Sequence, residues 1–175
     1  GWDPPAHNEL GFSRFDMLVE QAKSKGVIIA FENLRNKENL LAAMERYKDN
    51  DTVRYCYDCG HEHCYTKTVT WMDIFTDKLF CTHIHDNVGR PFYDKVNDFD
   101  QHLLPFDGIA DWDDIARRLD KSGFDGPLTF ELNTRSKPGR HENDKYSAMP
   151  IENYIAEAYC RACRVANLFI KAKEN

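Results

Sequence analysis

Short continuous apolar runs alternate along this chain with stretches whose apolar residues recur every three or four positions. Val27-Ile28-Ile29-Ala30-Phe31, Val53-Arg54-Tyr55-Cys56-Tyr57, residues 79–85 and Pro127-Leu128-Thr129-Phe130 predict four strands, the first covered on both faces. Phe15, Leu18, Val19 and Ala22 predict a helix over residues 13–25, stopped by Gly26. Leu40, Leu41, Met44 and Tyr47 predict a second over residues 37–48, capped by Asn36. Thr70 heads a third that carries Trp71, Ile74 and Phe75 inward. Asp111 heads a fourth with Ile115 and Leu119, closed by Ser122-Gly123. A last helix over residues 151–171 places Tyr154, Ile155, Ala158, Tyr159, Ala162, Val165, Ala166 and Phe169 on its buried side. Residues 86–107 form a polar excursion between the third strand and the fourth helix.

Buried strands alternating with amphipathic helices make an α/β fold, a parallel sheet with right-handed crossovers. At 175 residues the expectation is one domain spanning 1–175. Each strand ends in residues of metal-binding type: Glu32; Asp58 with His61; His83 with His85; and Glu131. His83 and His85 alternate, so they project to one side of a strand, with Asp86 just past its end. Imidazole and carboxylate gathered there suit a divalent cation. Taken singly, a strand-end glutamate is an ordinary solvated carboxylate. Four in succession put every ligand at the carboxyl edge of one sheet, where (β/α) barrels keep their chemistry.

Composition narrows the partners. The net charge of -6 and pI near 5.6, without a basic cluster interleaved with aromatics, disfavour broad capture of nucleic acid. No apolar run has the length of a membrane span, and a cytoplasmic location is expected. The opening Gly1-Trp2-Asp3-Pro4-Pro5 reads as a loop cut into, the start of a fragment. Six cysteines, Cys56, Cys59, Cys64, Cys81, Cys160 and Cys163, are expected to be reduced. Cys56-x-x-Cys59 and Cys160-x-x-Cys163 have the spacing of a zinc site, but the second pair falls inside the last helix, where thiols act as small buried apolar groups.

The pieces Ala30-Phe31-Glu32-Asn33-Leu34, Asp58-Cys59-Gly60-His61, His83-Ile84-His85-Asp86-Asn87, Asp100-Gln101-His102 through Asp107-Gly108 with Asp111-Trp112, and Gly126-Pro127-Leu128-Thr129-Phe130-Glu131-Leu132 together resemble the xylose isomerase-like TIM barrel superfamily. That group holds sugar (and sugar phosphate) isomerases and epimerases and the apurinic-site endonucleases. The resemblance implies one divalent metal ion (Mn, Zn, Co or Mg) held by Glu32, Asp58, His83 and Glu131. It implies that Glu32 and Glu131 are the acid and base acting through an enediolate, and that His61 and Arg90 bind substrate. In the endonuclease branch Asp100 and His102 would hold further zinc, a second metal site. His63 and His85 read as supporting or structural residues.

A full barrel has eight strands and this chain supplies four, matching the second half. Half a barrel leaves unpaired strand edges and a bare interior face. The expectation is therefore a homo-oligomer, two copies closing the ring. The leading function is a metal-dependent sugar isomerase or epimerase with a small-molecule sugar substrate. The alternatives are an apurinic-site endonuclease with a multi-zinc site and an inactive fragment that keeps only metal or sugar binding.

Overall fold

The computed structural model describes residues 4–91, 94 and 98–173. The first three residues of the expected opening loop, and residues 92, 93 and 95–97 of the polar excursion, lie outside the described residues.

Three parallel strands, β1 (Ile29–Glu32), β2 (Val53–Asp58) and β3 (Leu79–His83), lie in the order β1-β2-β3. Side chains alternate along β2. Val53, Tyr55 and Tyr57 are fully buried on one face, packed into a core with Val19, Leu40, Met44, Trp71, Ile115 and Leu119. The other face carries Cys56 and Asp58. At the carboxyl edge the buried Asn33 joins β1 to β2: its amide donates to Asp58 O at 2.8 Å, and its Oδ1 accepts from Asp58 N at 2.8 Å and Tyr55 OH at 2.7 Å. These bonds fix the level at which Glu32 and Asp58 leave the sheet, at about 1 kcal/mol net each.

Helix α1 (Glu9–Lys25) begins earlier than its apolar spacing predicts, because Asn8 caps it through Gly11 N at 2.8 Å. It ends where predicted, at Gly26 with φ 65°. Asn36 caps α2 (Lys37–Arg46) through Asn39 N at 3.2 Å. Asp111 caps α5 (Trp112–Lys121) through Asp114 N at 3.0 Å. Thr70 precedes α4 (Trp71–Ile74) without making a side-chain cap. Two helices had no apolar signature to betray them, α3 (Cys59–Tyr65) and α6 (Asp144–Ser147). α7 (Ile151–Lys173) packs along α5.

Three expectations are corrected. The fourth strand is a single parallel bridge, Ile84 to Phe130, held by Ile84 N to Thr129 O at 2.8 Å and Glu131 N to Ile84 O at 3.2 Å. Pro127 has no N–H, and Thr129 N donates to Thr82 Oγ1 at 3.1 Å rather than to a strand carbonyl, so the ladder cannot extend. The first run is not covered on both faces. Val27 and Ile28 are exposed, because no strand pairs with the outer edge of β1 among the described residues. The helix stripes also miss some faces: Phe15 and Leu18 on α1 are exposed, as are Ile155 (59%) and Tyr159 (71%) on α7. Cys160 and Cys163 are exposed too, and neither cysteine pair joins a ligand cluster among the described residues. The six cysteines are free thiols.

Candidate metal centre

The three strands and the bridge deliver four groups to one place. Glu32, Asp58, His83 and Glu131 each offer one ligand atom, and these atoms lie within 4.8 Å of one another. His83 Nδ1 is the hub, 3.2 Å from Glu131 Oε2, 3.5 Å from Glu32 Oε1 and 3.8 Å from Asp58 Oδ2. Yet His83 Nδ1 and Glu32 Oε1 are buried atoms without a hydrogen-bond partner. Glu32 Oε1 also stands 2.8 Å from His61 Nδ1, likewise a buried atom that makes no hydrogen bond. A tetrahedral ion about 2.1 Å from each ligand would space them about 3.4 Å apart, so the donor set fits a divalent ion.

Asp58 is fully buried and serves several neighbours. Its Oδ1 accepts from His61 N at 2.6 Å, capping α3, and both oxygens approach His85 Nε2, at 3.1 and 3.3 Å. That cap turns the chain so that His61 falls in the first turn of a helix, buried. α3 is anchored from behind by a buried ion pair, Arg118 Nη2 to Glu62 Oε1 at 2.6 Å, which Tyr57 OH joins at 3.2 Å.

A second cluster adjoins the first. His61, His85, Asp100 and His102 also bring their ligand atoms within 4.8 Å of one another. Asp100 Oδ1 stands 3.0 Å from His102 Nε2, 3.5 Å from His61 Nε2 and 4.0 Å from His85 Nε2. The rings of His85 and His102 stack at 4.1 Å. His102 has φ 50°, a left-handed conformation that costs a non-glycine residue about 1 kcal/mol or more. It is held there by a bridge between Asp86 and Leu103 and by Asn133 N donating to His102 O at 3.1 Å. Gly60 is required beside it, since a Cβ there would sit 1.9 Å from His85 Cε1.

Charges follow from this crowding. Burial acts to raise the pKa of Glu32, but the imidazoles of His61 and His83 outweigh it and hold the carboxyl well below its usual range. Burial likewise acts to raise Asp100, and His102 and His61 overcome it, so Asp100 also stays ionised far into acid. Burial acts to lower His61, yet the carboxylates of Asp100 and Glu32 push it up to about 10. The Glu32 carboxylate, ahead of burial, raises His83.

Other residues settle apart. Arg90 donates to Asp94 O in its own loop and lines a separate cleft of about 260 Å³ with Tyr65 and Lys67. Asp86 is structural: it accepts from Asn87 N, Phe106 N and Ala110 N at 2.8, 3.0 and 3.1 Å. His63 lines a different cleft, beside Arg118. His85 supports Asp58, as read from the sequence, and also joins the second cluster, which the sequence did not show. Lys137 had no signal in the sequence; its Nζ reaches Asp98 at 2.8 Å and Asp100 Oδ2 at 3.3 Å. With Arg35 and Arg140, which also meet Asp98, it steadies the loop that presents Asp100 and His102.

The family described as xylose isomerase-like TIM barrel matches residues 1–155, and the chain belongs to it. An uncharacterised protein of Sinorhizobium fredii, y4fM, is 33% identical over 161 residues, covering 86% of this chain and 49% of that protein. The chain thus spans about half the length of this relative. Among solved structures, the IolI protein with a bound zinc atom superposes with a TM-score of 0.64 at 21% identity, covering 98% of this chain and 60% of that one. D-Psicose 3-epimerase of Clostridium cellulolyticum, solved with D-tagatose, superposes with a TM-score of 0.61 at 16% identity, covering 99% and 60%. Sheet order, crossovers and these likenesses define half of a (β/α) barrel.

Proposed function

We propose that Glu32, Asp58, His83 and Glu131 hold one divalent ion, Mn, Zn, Co or Mg, and that the site isomerises or epimerises a sugar or sugar phosphate. The observation that carries this reading is the convergence of four strand-end donors around His83 Nδ1 and Glu32 Oε1, two buried atoms without hydrogen-bond partners. The fold shared with a sugar epimerase supports the substrate class. Three carboxylates and one imidazole accept hard ions as well as zinc.

The hard step is removal of a proton next to a carbonyl. A divalent ion held by these residues would supply Lewis-acid stabilisation of the negative charge that develops on the carbonyl oxygen. Glu32 and Glu131 flank His83 and are the proton carriers: one carboxylate takes the proton from carbon and the other returns it. Return to the neighbouring carbon isomerises; return to the opposite face of the same carbon epimerises. Asp58, buried and committed to His61 and His85, is a ligand only. His61 is assigned to the sugar's hydroxyls from inside the site, whereas Arg90, turned to Asp94 O in a separate cleft, is not. The outer edge of β1, unpaired among the described residues, and the exposed apolar residues of α1 and α7 fit a dimer that completes the ring. The cytoplasm, with its reducing thiol pool, suits six free cysteines. No helix among the described residues is long and apolar enough to cross a membrane.

The test is a metal titration paired with proton exchange. One ion per chain, with deuterium from solvent appearing at the carbon beside the carbonyl of a ketose or aldose, is the expected result. Bound metal without any exchange would leave the chain a binding fragment, and absence of metal binding would end the proposal. A second reading, a multi-zinc nuclease acting at abasic DNA, is favoured by the cluster of His61, His85, Asp100 and His102. Two or three ions per chain, lost on replacing Asp100, would support it against the acidic balance of the chain.

A further inference from the structure

Beneath Asp58 and His83, and level with Glu32, the sheet carries two thiols. Cys56 lies two residues before Asp58 and Cys81 two before His83, so alternation puts all four on one face. A β-bulge decides which residues meet. Tyr55 pairs with Leu79, but the register then shifts, and Cys56 pairs with Cys81 as Asp58 pairs with His83. Phe80 is the extra residue; without it Cys56 would face Phe80 instead. Adjacent strands run about 4.8 Å apart, inside the roughly 4.4–6.8 Å Cα span that a disulfide bridges. Cys56 is 3% exposed and Cys81 half-buried, so a small oxidant meets Cys81 first.

We propose that Cys56 and Cys81 form an oxidation site, converted by hydrogen peroxide into a disulfide across β2 and β3. The sulfur of Cys81 attacks the peroxide, the O–O bond breaks, and a sulfenic acid and one water result. The sulfur of Cys56 then displaces the hydroxyl of that sulfenic acid, forming the S–S bond and releasing a second water. Two electrons pass from the thiols to the peroxide, and both thiol protons leave in water. Placement of the two cysteines opposite one another on adjacent strands favours this closure over further oxidation of Cys81. The bridge would lie level with Glu32, the register partner of Cys56, and one side-chain step below Asp58 and His83. Oxidation would then act on the strands that space those donors.

Cys160 and Cys163, exposed one turn apart on α7, compete for oxidant, so the experiment uses the full chain carrying Cys160→Ser and Cys163→Ser. After hydrogen peroxide, denaturation and alkylation, the expected product is lighter by two hydrogens, with Cys59 and Cys64 still alkylated. Peptide mapping should join Cys56 to Cys81, and dithiothreitol should restore both thiols. A product heavier by oxygen, with sulfinic acid on Cys81 and Cys56 still free, would overturn the proposal. So would a bridge through Cys59 or Cys64. Cys56→Ser or Cys56→Ala in the same background should leave Cys81 as a sulfenic acid trapped by dimedone.

Discussion

The two donor clusters share a wall and differ in construction. Glu32, Asp58, His83 and Glu131 come from successive strand ends, and two of them face outward, with side chains 31% exposed at His83 and 48% at Glu131. His61, His85, Asp100 and His102 come from a helix turn, a strand exit and a loop, and their side chains are between 0 and 14% exposed. Metal sites that do chemistry keep a position open, whereas structural ones are closed. On the function proposed above, the comparison gives turnover to the first cluster and rigidity to the second. Asp58 is where they meet.

Removing that junction should have the largest effect. Asp58→Ala deletes a donor of the first cluster, the acceptor for His85 Nε2 and the cap of α3. Metal affinity should fall by more than about a hundredfold, since outer partners alone are worth 10–100-fold. Loss of the cap should cost roughly 1 kcal/mol of stability. Metal titration and urea unfolding of the metal-free chain check the two effects separately. Affinity unchanged from the parent would break the assignment of Asp58 to either cluster.

Next comes Gly60→Ala. The added Cβ would overlap His85, whose ring is pinned between Asp58 and the His102 ring, so the overlap cannot be relieved by a simple rotation. Overpacking of this kind costs about 1–3 kcal/mol. The damage should centre on the second cluster, with the first disturbed through Asp58. Parent-like stability would mean that His85 is free to move, against the rigid role given to its cluster.

His102→Gly separates the clusters more finely. It removes one donor and the ring stacked on His85, but it also releases a left-handed residue at φ 50°. The relief is worth about 1 kcal/mol and offsets part of the lost stacking. Binding at the first cluster should stay within about tenfold of the parent. A complete loss of turnover with metal retained would show that the second cluster takes part in the chemistry.

What the sequence disclosed follows the range of the forces involved. Capping by Asn36, termination at Gly26 and the start at Asp111 depend on a few neighbouring residues, and all three stand in the structure. The approach of Glu32, Asp58, His83 and Glu131 was also legible, because period-two strands in a parallel sheet deliver their ends to one edge. Longer-range choices were not. The bulge at Phe80 leaves no composition signal, though it aligns Asp58 with His83. The buried turn at His61 depends on a cap from Asp58 rather than on apolar spacing. Ile155 and Tyr159 keep an apolar period, but a period does not say what covers the face.

The smallest and most graded effect is a dependence of stability on pH. In the metal-free chain His61 is pushed up to about 10 from an ordinary 6.5, because Asp100 and Glu32 outweigh the opposing effect of burial. A group raised on folding stabilises fully below its unfolded value, and that contribution is lost as pH rises through the folded one. Stability measured in chelator should therefore decline between about pH 6.5 and 10. Asp100→Asn removes the larger carboxylate contribution and should flatten the slope, while Glu131→Gln, which does not touch His61, should leave it standing. Equal slopes in the parent and Asp100→Asn would mean that His61 takes its charge from the first cluster through Glu32, and the division between an open cluster and a closed one would fail at that residue.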